Sequence, residues 1–118
     1  MDNKELVCLL KKARNLITNF EDWCTGTLIK YKNNGQGETY CAIGAVCKAG
    51  GFEFKAIEGS EVWPIRQELN REAERLYPWV AEENGIISLN DRQYVGGHDK
   101  VLKVFDSLIA KKEAEGQG

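Results

Sequence analysis

The chain has 118 residues, enough for one domain and too few for two ordinary ones. Its 42% hydrophobic and 29% charged residues give the balance of a soluble globular protein. A formal net charge of -2, from 16 basic and 18 acidic residues, excludes a strong global field for nucleic acid or an anionic membrane, and leaves room for a local basic patch.

Leu6, Leu9, Leu10, Ala13, Leu16, Ile17 and Phe20 recur at helical spacing, with Lys11, Lys12, Arg14 and Asn15 on the other face. The spacing predicts an amphipathic helix from about Asn3 to Phe20, capped by Asp2 or Asn3. The run Leu6–Leu10 is short and bounded by Lys4, Glu5, Lys11 and Lys12, so it reads as a buried stripe and not as a secretory segment. No apolar run approaches the length of a membrane span. Cys8, Cys24, Cys41 and Cys47 sit among apolar residues, which predicts reduced packing residues in a cytoplasmic chain.

Trp23 to Gly26 reads as a loop carrying a large aromatic. Thr27–Lys32 and Glu38–Tyr40 read as two strands around the turn Asn33–Gly37, because Asn and Gly accept positive φ. From Cys41 to Val46 there is no charged residue, and small residues are frequent. This predicts a short buried helix, Cys41–Ala49, with Thr39 as N-cap and Gly50–Gly51 as stop. The Gly44–Ala45 step marks a place where another helix comes close.

Phe52 to Gly59 reads as a loop. Ile65, Leu69, Ala73 and Leu76 predict a helix with Pro64 in its first turn and Pro78 beyond its end. Ile86–Leu89 is short and apolar, and Asn90, Asp91 and Arg92 follow it. Gly97 or His98 opens a last helix with Val101, Leu102, Phe105, Leu108 and Ile109 inward. The tail, residues 113–118, is expected to fray. The fold expected is one α+β domain over 1–118, mainly α, built around a short buried central helix with one small β-hairpin.

The order Trp23-x-x-Gly26, Cys41-x-x-Gly44-Ala45, Asn90-Asp91 and Val101-Leu102-x-x-Phe105-Asp106 resembles a family of small uncharacterised phage and bacterial proteins, a domain of unknown function. The resemblance runs from about Leu6 to Ile109. It implies a mainly helical domain with a small hairpin, and a phage association. It implies no reaction and no cofactor. Gly96-Gly97-His98 departs from the Ser/Thr-type cap expected before the last helix.

Candidate chemistry is sparse. Five residues separate Cys41 from Cys47 and no C-x-x-C occurs, so no metal set is assigned. His98 is the single histidine, the base any Cys-His pair would use. Asn90-Asp91 reads either as a turn cap for nearby backbone amides or as a ligand-facing pair at a cleft mouth. Gly96-Gly97 at a helix start offers amides to an anion, Arg92 and His98 add charge, and Tyr94 can stack on a base. Lys30, Tyr31 and Lys32 alternate basic and aromatic character on the hairpin, and with Lys11, Lys12 and Arg14 they form a small candidate nucleic-acid surface.

The function expected is that of a non-enzymatic, phage-type binding protein. It would antagonise a host defence by sequestering a small anionic or nucleotide signal, or by occupying a host protein, in the host cytoplasm. Its ligand-binding residues would be Trp23, Thr25, Asn90, Asp91, Arg92, Tyr94 and His98. Nucleic acid is a lesser candidate partner, no membrane is involved, and a homo-oligomer is compatible with the small residues and aromatics. No catalytic residue, metal or cofactor is assigned. The alternative is a small hydrolase or transferase using Asp91 and His98, or a Cys-His pair.

Overall fold

The computed structural model describes residues 1–33, 35–92 and 96–117, so Tyr94 lies outside the described residues. Among the described residues the chain forms five α-helices and one two-stranded sheet. Helix α1 spans Asn3–Leu16, and the Asp2 carboxylate accepts from the Glu5 amide at 2.8 Å. That satisfies one of the free donors at a helix start. Leu6, Leu9, Leu10 and Ala13 are buried.

The helix stops short of the predicted Phe20. The Thr18 hydroxyl donates to the Arg14 carbonyl at 3.1 Å, competing with the backbone for the last turn. Asn19 is extended, and Phe20–Asp22 forms a short 3₁₀ turn. Phe20 therefore leaves the buried stripe on which the periodicity placed it and is 62% exposed.

Strands β1 (Ile29–Tyr31) and β2 (Glu38–Tyr40) pair antiparallel, with Lys30 opposite Thr39. Helix α2 covers Ala42–Gly50 and is buried from Ala42 to Cys47. Its N-cap is Cys41, not Thr39. The Cys41 sulfur accepts from the Gly44 amide at 3.3 Å, while Thr39 stays in β2 and donates its hydroxyl to the Lys30 carbonyl at 2.9 Å. Gly51 ends α2 at φ 67°, as a left-handed stop. The close approach expected at Gly44 is real, but its partner is not a helix. A Cβ there would stand 1.7 Å from the Leu28 carbonyl oxygen, on the chain leading into β1.

Helix α3 (Trp63–Leu76) has Pro64 in its first turn, and a 3₁₀ turn over Pro78–Glu82 follows. The short α4 (Ile86–Asp91) leads to the long α5 (Gly97–Gln117). Helix α1 packs on α5 and α2, and α3 and α4 pack on α5. Val101, Val104, Phe105, Leu108 and Ile109 form the inner face of α5, and Leu102, predicted inward, is only half-buried. Each fully buried aliphatic or aromatic side chain contributes about 1.5–3 kcal/mol relative to exposure. All four cysteines are free. Cys24, Cys41 and Cys47 are buried, but Cys8 is exposed because it falls on the outer face of α1. No helix among the described residues is long and apolar enough to cross a membrane.

Candidate functional site

Asn90, in the last turn of α4, is 1% exposed and uses both ends of its amide. Its Oδ1 accepts from Trp23 Nε1 at 2.7 Å and from the Ala42 amide, at the start of α2, at 3.0 Å. Its Nδ2 donates to the Cys24 carbonyl at 3.0 Å and to Asp91 Oδ1 at 3.2 Å. Asp91 Oδ1 also accepts from the Gly26 amide at 3.0 Å. The pair does cap backbone amides, but amides 48 and 65 residues away rather than nearby ones. It fastens the Trp23–Gly26 loop and the start of α2 to α4.

His98, in the first turn of α5, is buried. Its Nε2 lies 2.7 Å from the Ile17 carbonyl, which can only accept, so Nε2 carries the hydrogen. Phe20 and Trp23 flank the ring at centroid distances of 5.6 and 5.1 Å. Among the described residues no hydrogen bond joins His98 to Asp91 or to a cysteine. Arg92 turns away from this group, with its guanidinium 2.7 Å from the Glu83 carboxylate and 5.5 Å from the Trp79 ring centroid. The Gly97 amide donates to the Arg92 carbonyl at 3.0 Å, so it is already engaged where an anion was expected. A Cβ on Gly97 would come 2.8 Å from the Leu89 carbonyl oxygen, so close packing accounts for the glycine where a Ser/Thr-type cap was expected.

Two concavities lie along the loop Trp23–Leu28. One is a groove of about 330 Å³ bounded by the 3₁₀ turn and the hairpin. Phe20, Trp23, Thr25, Lys30, Tyr31 and Lys32 are among its walls. Tyr31 is 69% exposed. Lys32 is paired with Asp22 at 2.8 Å, whereas Lys30 has no ion pair among the described residues. The Cys24 thiol, also in the wall, is pushed up by burial, and Thr39 and the Lys30 charge pull it part of the way back.

The other concavity, about 230 Å³, lies between Gly26–Leu28, the start of α2 and α4. Its walls are mostly apolar, with Leu28, Ala42, Ile43 and Ile87, and they include Asn90, Asp91 and Cys41. Burial pushes the Cys41 thiol up to about 12, against the opposing pull of the Gly44 and Ile43 amides. A thiol so disposed is a poor nucleophile at neutral pH. No group of three or more His, Cys, Asp or Glu among the described residues is placed to hold a metal.

The expected site residues thus separate. Trp23 and Thr25 face the groove, Asn90 and Asp91 line the second concavity, His98 backs the groove through Phe20 and Trp23, and Arg92 belongs to neither. Lys11 and Arg14 are tied to Glu113 and Asp106 on α5. Phe20 was missed as a wall of the groove. The polar pair Thr18-Asn19 was the signal that the helix ends before it.

The fold and these concavities define a small, mainly helical α+β protein with a hairpin-side groove. Residues 1–111 match the sequence model of DUF6197, a family of unknown function, and the chain belongs to that family. No curated protein and no solved structure matches it.

Proposed function

We propose that the chain is a non-enzymatic binding protein whose groove takes a small ligand combining a flat ring with an anionic group, a nucleotide being the chemistry that fits. One observation carries this reading: Lys30 and Lys32 stand with the rings of Phe20, Tyr31 and Trp23 around a single groove of about 330 Å³. That volume is at the lower end for small-molecule sites. A base stacked on an aromatic ring gains about 1–3 kcal/mol, and an ammonium–phosphate contact is charge-assisted. Lys30, without a carboxylate partner among the described residues, is the cation available to a phosphate.

Binding is favoured over hydrolysis or transfer by the state of the possible reagents. Among the described residues no hydrogen bond joins His98 to Asp91 or to a cysteine, and the Cys41 thiol is held protonated. The biological setting rests on the resemblance to phage proteins: the chain would act in a host cytoplasm as an antagonist of a defence that signals through nucleotides. Occupation of a host protein is the other mode, with exposed Phe20 and Tyr31 as its contacts.

Calorimetric titration with linear and cyclic nucleotides tests the ligand. A nucleotide binds at least tenfold tighter than its nucleoside, and Tyr31→Ala and Lys30→Gln each weaken it about tenfold while the fold is retained. Absence of binding by every nucleotide at millimolar concentration sinks the proposal.

A further inference from the structure

We propose that the pocket beside Asp91 is a second binding site, selective for a short aliphatic ammonium ligand. The site needs a greasy wall, a fixed carboxylate and no competing cation, and all three are present. Leu28 and Ile87 are half-buried in the wall, and Ile43 is fully buried beneath them. A volume of about 230 Å³ is ample for a short alkyl chain, since an apolar cavity of roughly 150 Å³ accommodates benzene.

The polar atoms of the wall are not equivalent. Asn90 is committed to Trp23, Ala42, Cys24 and Asp91, so it offers a ligand nothing. The Cys41 sulfur already accepts from the Gly44 amide. Asp91 differs, because among the described residues both of its hydrogen bonds fall on Oδ1. These two bonds, from the loop and from Asn90, hold the carboxylate, and no donor among the described residues takes Oδ2. Asp91 has no ion pair among the described residues, and its neighbour Arg92 is spent on Glu83 and Trp79. Its field reaches inward, since it is one of the charges that raise the Cys24 and Cys41 thiols.

An anion is repelled by Asp91, and a strongly hydrated inorganic cation gains nothing from Leu28, Ile43 and Ile87. An alkylammonium satisfies both halves: its chain displaces water from the aliphatic wall while its N–H groups reach Oδ2. The site shares no lining residue with the hairpin groove and has the opposite charge preference.

The test follows methyl signals of Leu28, Ile43 and Ile87 by NMR during titration with n-butylammonium. Saturable shifts are expected at these methyls. The neutral isostere n-butanol binds at least tenfold more weakly, as does n-butylammonium to Asp91→Asn, which retains the Oδ1 acceptor for Gly26. Tyr31→Ala leaves amine binding unchanged, which separates this site from the groove. Equal binding of butanol and butylammonium to the unaltered protein overturns the proposal without reference to any variant. So do unshifted methyls, or an Asp91→Asn protein that folds and binds the amine as tightly.

Discussion

The seam between α1 and α5 and the junction around Asn90 are both close-packed, but different forces hold them. Along the seam, Leu6, Leu9, Leu10 and Ala13 are the buried residues of α1, which packs on α5, and exposed ion pairs such as Arg14–Asp106 decorate the edge. Its stability is spread over many apolar contacts, each replaceable by another of similar size. At the junction, one amide side chain satisfies an indole, a helix-start amide and a loop carbonyl, and one glycine lets a backbone carbonyl touch α2. Removing a partner there strands buried polar groups, at a cost of about 1–3 kcal/mol each. A distributed contact degrades gradually, whereas a shared polar hub fails at a single residue.

The sharpest way to break the junction is Gly44→Ala. The new Cβ would overlap the Leu28 carbonyl oxygen, and neither backbone can withdraw without opening the sheet-to-helix contact. A loss of about 3–4 kcal/mol is expected in urea unfolding, and a loss below about 1 kcal/mol would show that the contact relaxes freely. Asn90→Ala comes next, at about 3 kcal/mol, because Trp23 Nε1, the Ala42 amide and the Cys24 carbonyl all lose a partner. The changed environment of Trp23 gives an independent fluorescence readout, and an unaltered emission spectrum would contradict the bond.

Alkaline pH probes the same place more gently. Burial raises the folded-state Cys41 thiol from 9.0 to about 12, so its contribution is complete below pH 9 and is lost as pH rises towards 12. The raised Cys24 and Cys47 thiols act in the same direction. Stability measured by denaturant between pH 8 and 11 should fall, and Cys41→Ser, which keeps an acceptor for Gly44 without ionising in that range, should flatten the fall. The same slope in both proteins would remove Cys41 as its source. The smallest effect belongs to the seam: Arg14→Ala should cost about 0.2–1 kcal/mol, since the pair it breaks is solvent-screened. A loss as large as that of Asn90→Ala would erase the contrast between the two regions.

The seam was legible in the sequence because its information is local. The period of Leu6, Leu9, Leu10 and Ala13 and the inner positions of α5 announce helices without reference to anything distant. The turn at Gly35 and Gly37 and the stop at Gly51 are equally local, since each requires positive φ. The junction was legible only in part. Asn90-Asp91 could be read as capping backbone amides, but which amides depends on packing that brings residues 26 and 42 to α4. Phe20 was misplaced because periodicity alone does not see the Thr18 hydroxyl taking the Arg14 carbonyl. The partition of Trp23, Asp91, Arg92 and His98 between two concavities and a surface ion pair was likewise invisible, because adjacency along the chain does not say which way each side chain turns.

The position of Asn90 also sets an order of assembly. The hairpin and α2 are complete by Gly50, yet the Ala42 amide and the Trp23 indole receive their acceptor from a residue 48 and 67 positions further on. Contacts that join distant segments form after local ones, because the intervening chain must first be confined. On a ribosome, the amino-terminal half therefore emerges with a buried-to-be tryptophan and a helix start still solvated, and it is sealed only when α4 arrives. Both concavities share walls with that seal, so neither can take its final shape in a nascent chain that has not yet reached residue 90.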